Sequence, residues 1–124
     1  MLPDSLGRSK LVLTLIWWIA CVLMGEAGAI GTTGMYMCAD TMLVRYAETP
    51  DWNTVLDAYY AYDSEPSEAA LQIAAQVVRR PWKPLLNCRY AYSAHDVQNG
   101  WEPGKYQITA NGLTLHLNDH YPGG

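Results

Sequence analysis

From Leu11 to Met24 the chain runs for 14 residues without a charge, and a segment this apolar has few places to go. A membrane span needs about 18 to 20 such residues, so the run is short for that role. A secretory signal is a closer fit. Arg8 and Lys10 precede the run, and Ala27-Gly28-Ala29 supplies the small-x-small pattern of a signal-peptidase site, which would leave a mature chain starting at Ile30. The remaining option is a helix apolar on every side because it lies at the centre of a folded domain, with Gly25 and Gly28 ending it. The rest of the sequence favours the central helix.

A chain of 124 residues accommodates one domain, and no linker divides it, so residues 1–124 are read as a single domain. The 12 acidic residues outnumber the 8 basic ones, and Arg79-Arg80 is the only adjacent basic pair. A nucleic-acid footprint needs a basic stripe, so that class of partner is excluded. No stable membrane span is expected, and the domain is expected to act as a monomer. Nine Tyr and five Trp stand beside no Phe, so every large ring carries a polar handle, a composition suited to semi-exposed clefts. Cys21, Cys38 and Cys88 are too few for a disulfide framework and lack metal-ligand spacing. A Cys38–Cys88 bridge is open on paper, as is the reading of all three as small buried hydrophobes.

Periodicity divides the chain after its apolar run. Thr32-Thr33 can cap a helix over Gly34 to Ala47, with Met35, Cys38, Met42 and Tyr46 near one face. Pro50 or Asp51 opens a third helix with Trp52, Val55, Leu56 and Tyr59 as its stripe. Asp63-Ser64-Glu65 reads as a turn, with Asp63 a candidate cap. A fourth helix then opens near Pro66, carries Leu71, Ala74, Ala75 and Val78 at helical spacing, and stops at Pro81. Beyond Pro84 the period changes to two. Cys88, Tyr90 and Tyr92 alternate with polar or small residues, as do Tyr106, Ile108 and Ala110, and then Leu113, Leu115 and Leu117. Asn111-Gly112 supplies a two-residue hairpin loop, and Pro122-Gly123-Gly124 reads as a frayed end. The fold class is mainly α (α+β): four helices followed by a small C-terminal antiparallel sheet.

The segment Val22-Leu23-Met24-Gly25-Glu26-Ala27-Gly28, with its Glu-Ala pair at the end of an apolar helix, resembles the opening of the SleB-type cell wall hydrolases, a lysozyme-like family. The similarity continues in Asp51-Trp52-Asn53-Thr54-Val55 and Glu65-Pro66-Ser67-Glu68-Ala69-Ala70-Leu71. It ends in Tyr90-Ala91-Tyr92-Ser93 and Gly112-Leu113-Thr114-Leu115-His116-Leu117. The resemblance implies a lysozyme-like fold and a cofactor-free enzyme that cuts peptidoglycan glycan strands. The bond is the β-1,4 link between N-acetylmuramic acid and N-acetylglucosamine, broken by hydrolysis or by lytic transglycosylation. It carries over one catalytic residue, Glu26. The short connection Ala47 to Asp51 departs from the family's longer groove-lining insert with its Gln-Phe motif, which implies a reduced groove.

Cleaving a glycosidic bond near neutral pH requires a carboxylic acid that is still protonated, and apolar surroundings raise a carboxyl pKa by disfavouring the charged form. Glu26 follows Val22, Leu23 and Met24, which is such a setting. It would protonate the leaving oxygen and then, as a carboxylate, activate the muramic 6-hydroxyl or a water molecule. Asp63 is the candidate second carboxylate; Tyr62, Tyr90, Tyr92 and Ser93 are candidate sugar-binding residues. His95-Asp96 and the group His116, Asp119, His120 offer no complete metal-ligand set, so no metal is expected. A muralytic enzyme works in the cell envelope or outside the cell, and a phage-encoded lysis role is compatible. The rival expectation is a secreted, non-enzymatic envelope protein cleaved after Ala29, or a degenerate relative that binds glycan without cutting it.

Overall fold

The computed structural model describes residues 4–123, and its architecture is the mainly helical α+β class expected. The elements are α1 (Asp4–Ala27), α2 (Thr32–Glu48), α3 (Trp52–Asp57), α4 (Glu68–Arg79), β1 (Tyr90–Ser93), α5 (Ala94–Gln98), β2 (Tyr106–Ala110) and β3 (Leu113–Asn118). The apolar run is the middle of α1, and its C-terminal half forms the centre of the core. Ile19, Ala20, Cys21 and Leu23 are wholly excluded from solvent, and Ile16, Val22 and Ala27 nearly so. Toward its N-terminus the helix is covered on one side only: Val12, Leu15 and Trp18 pack against the core while Leu11, Leu13 and Trp17 are exposed. Over Ser9–Ala27 this helix is long and apolar enough to cross a membrane; no second helix of that kind is among the described residues.

α1 packs chiefly against α4 and α2. Fully buried alanines on both sides, Ala20 on α1 and Ala70 and Ala74 on α4, let the α1 and α4 backbones come close. α4 buries Ala70, Ile73, Ala74 and Val77. The expected stripe of Leu71, Ala74, Ala75 and Val78 is therefore rotated by about one position, and its other three members are half-buried at the flank. The helix also starts later than expected. Its cap is Ser67, whose hydroxyl accepts from the Ala70 N–H, so Pro66 sits outside the helix. Asp63 instead accepts from the Glu65 N–H within its own turn.

Gly31, not Thr32 or Thr33, is the N-cap of α2, and it makes no side-chain cap. Met35, Cys38 and Met42 of α2 are buried as expected. A buried carboxylate on the same helix, Asp40, accepts from Trp82 Nε1 at 2.8 Å and from the Leu85 and Leu86 N–H groups at 2.9 and 3.0 Å. These three charge-assisted bonds fasten the irregular segment after α4 to the core, and their number is what makes a buried charge tolerable. Asp51 caps α3, accepting from the Asn53 N–H. Tyr59 lies beyond the end of α3, with its hydroxyl 2.7 Å from Thr41 Oγ1.

The sheet order is β1-β3-β2, all antiparallel. β2 and β3 are joined through Asn111 (φ 55°) and Gly112 (φ 75°), the positive-φ pair that a tight hairpin of this kind requires. β3 is central and buries Leu115 and Leu117, but also His116 and Asn118. Both faces are covered because the segment after α5 folds back over the sheet. Tyr92 donates to Glu102 O, His116 Nδ1 bonds Pro103 O, and Asn118 Nδ2 donates to Glu102 Oε2. Two features correct the sequence reading: the helix α5 interrupts the strands, and the chain end is held rather than frayed. Pro122 is buried and its carbonyl accepts from the Glu102 N–H; Gly124 lies outside the described residues. All three cysteines are free and buried.

Removing the packing of α1 is expected to undo the fold. Ile19→Ala should cost about 2–5 kcal/mol, the usual range for truncating a fully buried aliphatic side chain, read by urea unfolding. A chain starting at Ile30 should show no cooperative unfolding transition, and a native-like transition in it would contradict the central role of the helix.

Candidate active site

Glu26 sits one residue before the end of α1, where the loop Tyr59–Asp63 crosses the helix. The crossing is possible because residue 25 is glycine. A Cβ there would collide with the backbone of Ala61 and Tyr62. With no side chain in the way, the loop lies flat on the helix and ties to it by backbone. The Asp63 N–H donates to Cys21 O at 2.9 Å, while the Tyr60 and Ala61 N–H groups donate to Glu26 Oε1 at 3.2 and 3.0 Å. One small residue thus places the loop, and the loop in turn orients the carboxyl group.

The environment raises the pKa of Glu26 above the ordinary carboxylate range. Burial is the largest cause, and the negative charge of Asp96 adds to it; the Ala61 and Tyr60 hydrogen bonds oppose both and do not win. Asp96 is held in turn by the start of α5, where its Oδ2 accepts from Ser93 N and Oγ at 3.3 and 3.4 Å. The carboxylate whose charge bears on Glu26 is therefore Asp96, not Asp63.

Two hollows adjoin at this acid. The first, about 800 Å³, is lined by Glu26, Tyr59, Tyr60, Arg45, Asp96 and the aromatic wall of Tyr90, Tyr92, Trp101 and Tyr121. The second, about 720 Å³, runs past Met24, Tyr62, Asp63 and Leu113 to Leu115. Gly25, Glu26, Tyr60, Ala61 and Ser93 border both, so the carboxyl group lies at the junction of a trough that continues on either side. Of the expected sugar-binding residues, Tyr90, Tyr92 and Ser93 line the first hollow, Ser93 is shared, and Tyr62 and Asp63 belong to the second.

The aromatic wall is built by ring contacts. Tyr92 meets Trp101 edge-on at 5.3 Å and stacks on His116 at 5.7 Å; Trp101 meets Tyr121 at 5.7 Å, and Tyr121 meets Tyr90 at 5.9 Å. Tyr92 is nearly buried and its hydroxyl is occupied, so it supports the wall, whereas Tyr90, Trp101 and Tyr121 retain exposed ring. Trp101 and Tyr121 lie in irregular segments with no periodicity to mark them. Asp96 did carry a signal, since Ser93-x-x-Asp96 is the spacing of a helix capping box. His95 bonds Asn99 on the outer side of α5, and His116 is engaged with Pro103 O. Among the described residues no group of three or more His, Cys, Asp or Glu side chains could hold a metal ion. Comparisons with protein-family models, curated proteins and solved structures find no match to this chain.

The raised pKa of Glu26 fixes the sign of a linkage effect. The folded state holds this proton more tightly than the unfolded chain, so the contribution of Glu26 to stability is complete below the ordinary carboxylate pKa, about pH 4, and is lost as pH rises through the raised value. Glu26→Gln, which keeps an acceptor for both N–H groups, is expected to melt above the wild type at neutral pH and level with it in acid. Asp96→Asn should lower the Glu26 pKa, as followed by carbon NMR of the labelled carboxyl; an unchanged titration would show that Asp96 exerts no field there.

Proposed function

We propose that this protein is a muralytic enzyme that breaks the β-1,4 bond between N-acetylmuramic acid and N-acetylglucosamine, with Glu26 as general acid and then general base. The observation that carries the reading is a carboxyl group with a raised pKa, held by two backbone N–H groups at the junction of two hollows. A polymer lying along the trough would present one of its links to that acid, with sugars filling the hollows and meeting the rings of Tyr90, Trp101, Tyr121 and Tyr62. The SleB-type resemblance of the Gly25-Glu26-Ala27 segment and the burial of α1 in the core support the same reading, since both keep Glu26 inside the working protein.

In this mechanism the protonated carboxyl of Glu26 gives its proton to the bridging oxygen while the muramic C1–O bond breaks with its electron pair going to that oxygen. The resulting carboxylate then removes a proton from the muramic 6-hydroxyl, giving an anhydro sugar, or from a water, giving a reducing end. The Tyr60 and Ala61 N–H groups steady the carboxylate that appears between the two steps. A wall-degrading role places the protein in the cell envelope or outside the cell, and a phage-type lysis route suits it.

A zymogram on purified cell walls tests this directly. Wild type should clear the gel, and Glu26→Gln should lower the rate by about 10²–10⁴-fold, the usual worth of a positioned acid. Activity should fall as pH rises through the raised Glu26 pKa, because the neutral acid is the working form. A folded wild type that leaves every wall preparation intact would remove the enzyme reading, and retention on insoluble peptidoglycan without clearing would assign it glycan binding alone.

A further inference from the structure

One guanidinium in the trough has no ionic partner among the described residues. Arg45, on the last turn of α2, reaches across to β1, where its Nε donates to Arg89 O at 2.6 Å. Its charge lies 4.7 Å from the centre of the Tyr90 ring and 5.8 Å from that of Tyr59. Among the described residues it pairs with no carboxylate, and its two terminal nitrogens have no acceptor and are not sealed from the hollow. Its neighbour Arg89 is different: Glu48 approaches its Nε at 2.8 Å and balances that charge, although the Nε–H itself finds no hydrogen-bond partner.

An Arg held at its Nε and over two rings has its fork already placed, so little side-chain freedom remains to be lost when an anion binds. Its planar donors match a carboxylate. Arg45, Tyr59 and Glu26 all line the first hollow. The cation and the acid therefore border one hollow.

The geometry points to an anion subsite at Arg45 that receives the carboxylate carried by the 3-O-lactyl substituent of muramic acid, and so selects the muramic sugar over N-acetylglucosamine for the position beside Glu26. This rests on the muralytic reading and adds to it the feature of the substrate that sets its register. The carboxylate has two sources, the free lactyl acid of a strand without stem peptides, or an acidic residue of the stem when the lactyl group is amidated. N-acetylglucosamine has neither.

The test uses full-length Glu26→Gln, so that binding is read without turnover, with three oligosaccharides of equal length: chitin, peptide-free muramic–glucosamine strands and strands bearing stem peptides. Calorimetry should show at least one muramic strand binding about tenfold or more tighter than chitin, as expected for one charge-assisted pair. Adding Arg45→Gln should erase that ratio and Arg45→Lys should restore part of it. The stronger of the two muramic strands identifies the carboxylate source. Equal affinity for chitin and both muramic strands, or a preference that survives Arg45→Gln, overturns the subsite. Binding of no oligosaccharide at all, with no clearing by wild type, overturns the muralytic reading with it. Clearing that is indifferent to the lactyl or stem carboxylates overturns the subsite alone.

Discussion

Two backbone N–H groups end on a side-chain oxygen where α1 stops, and much of the site follows from that contact. The Tyr60 and Ala61 amides lie in a loop with no strand or helix to pair them, and Glu26 Oε1 is their acceptor. The bond is possible only because Gly25 leaves the helix surface bare and because α1 is anchored by the aliphatic side chains of its buried half. Core packing, loop placement and the acid's orientation are three consequences of one helix reaching the surface at its end.

The same helix end explains the electrostatics. A carboxylate near a helix C-terminus meets the negative end of the dipole, half out of water, with Asp96 across the hollow. Two hydrogen bonds would ordinarily pull such a pKa down, and here burial outweighs them. The hydrogen bonds orient the carboxyl group while the loss of water sets its proton affinity, so position and acidity are controlled by different atoms. On the same hollow, Arg45 is fixed by a carbonyl and by ring faces and has no counter-ion among the described residues, which leaves its charge available to something outside the chain.

Legibility in the sequence followed the range of the forces involved. The apolar run, the hairpin at Asn111-Gly112, the opening of α3 at Pro50 or Asp51 and the switch from helical to alternating spacing all depend on neighbours a few residues apart, and all were readable. The stripe of α4 was misplaced by about one position because its alanines fit both the core and its flank, so the close approach of α1 decided which of them went inside. Ser67 displaced Asp63 as the α4 cap because the chain between them turns first, a choice that local preference does not make.

The sequence by itself determined that a long uncharged helix must lie at the centre or leave the protein, that a glutamate ends it, and that three short strands close the chain. These are matters of hydrophobic spacing and local backbone preference, which act over one or two turns. Tertiary structure alone decided that Asp96 rather than Asp63 shares the field of that glutamate, that Trp101 and Tyr121 complete a wall begun by Tyr90 and Tyr92, and that Arg45 stands without a counter-ion among the described residues. Burial and charge act through space between residues far apart in the chain, and no spacing rule along the sequence encodes those distances.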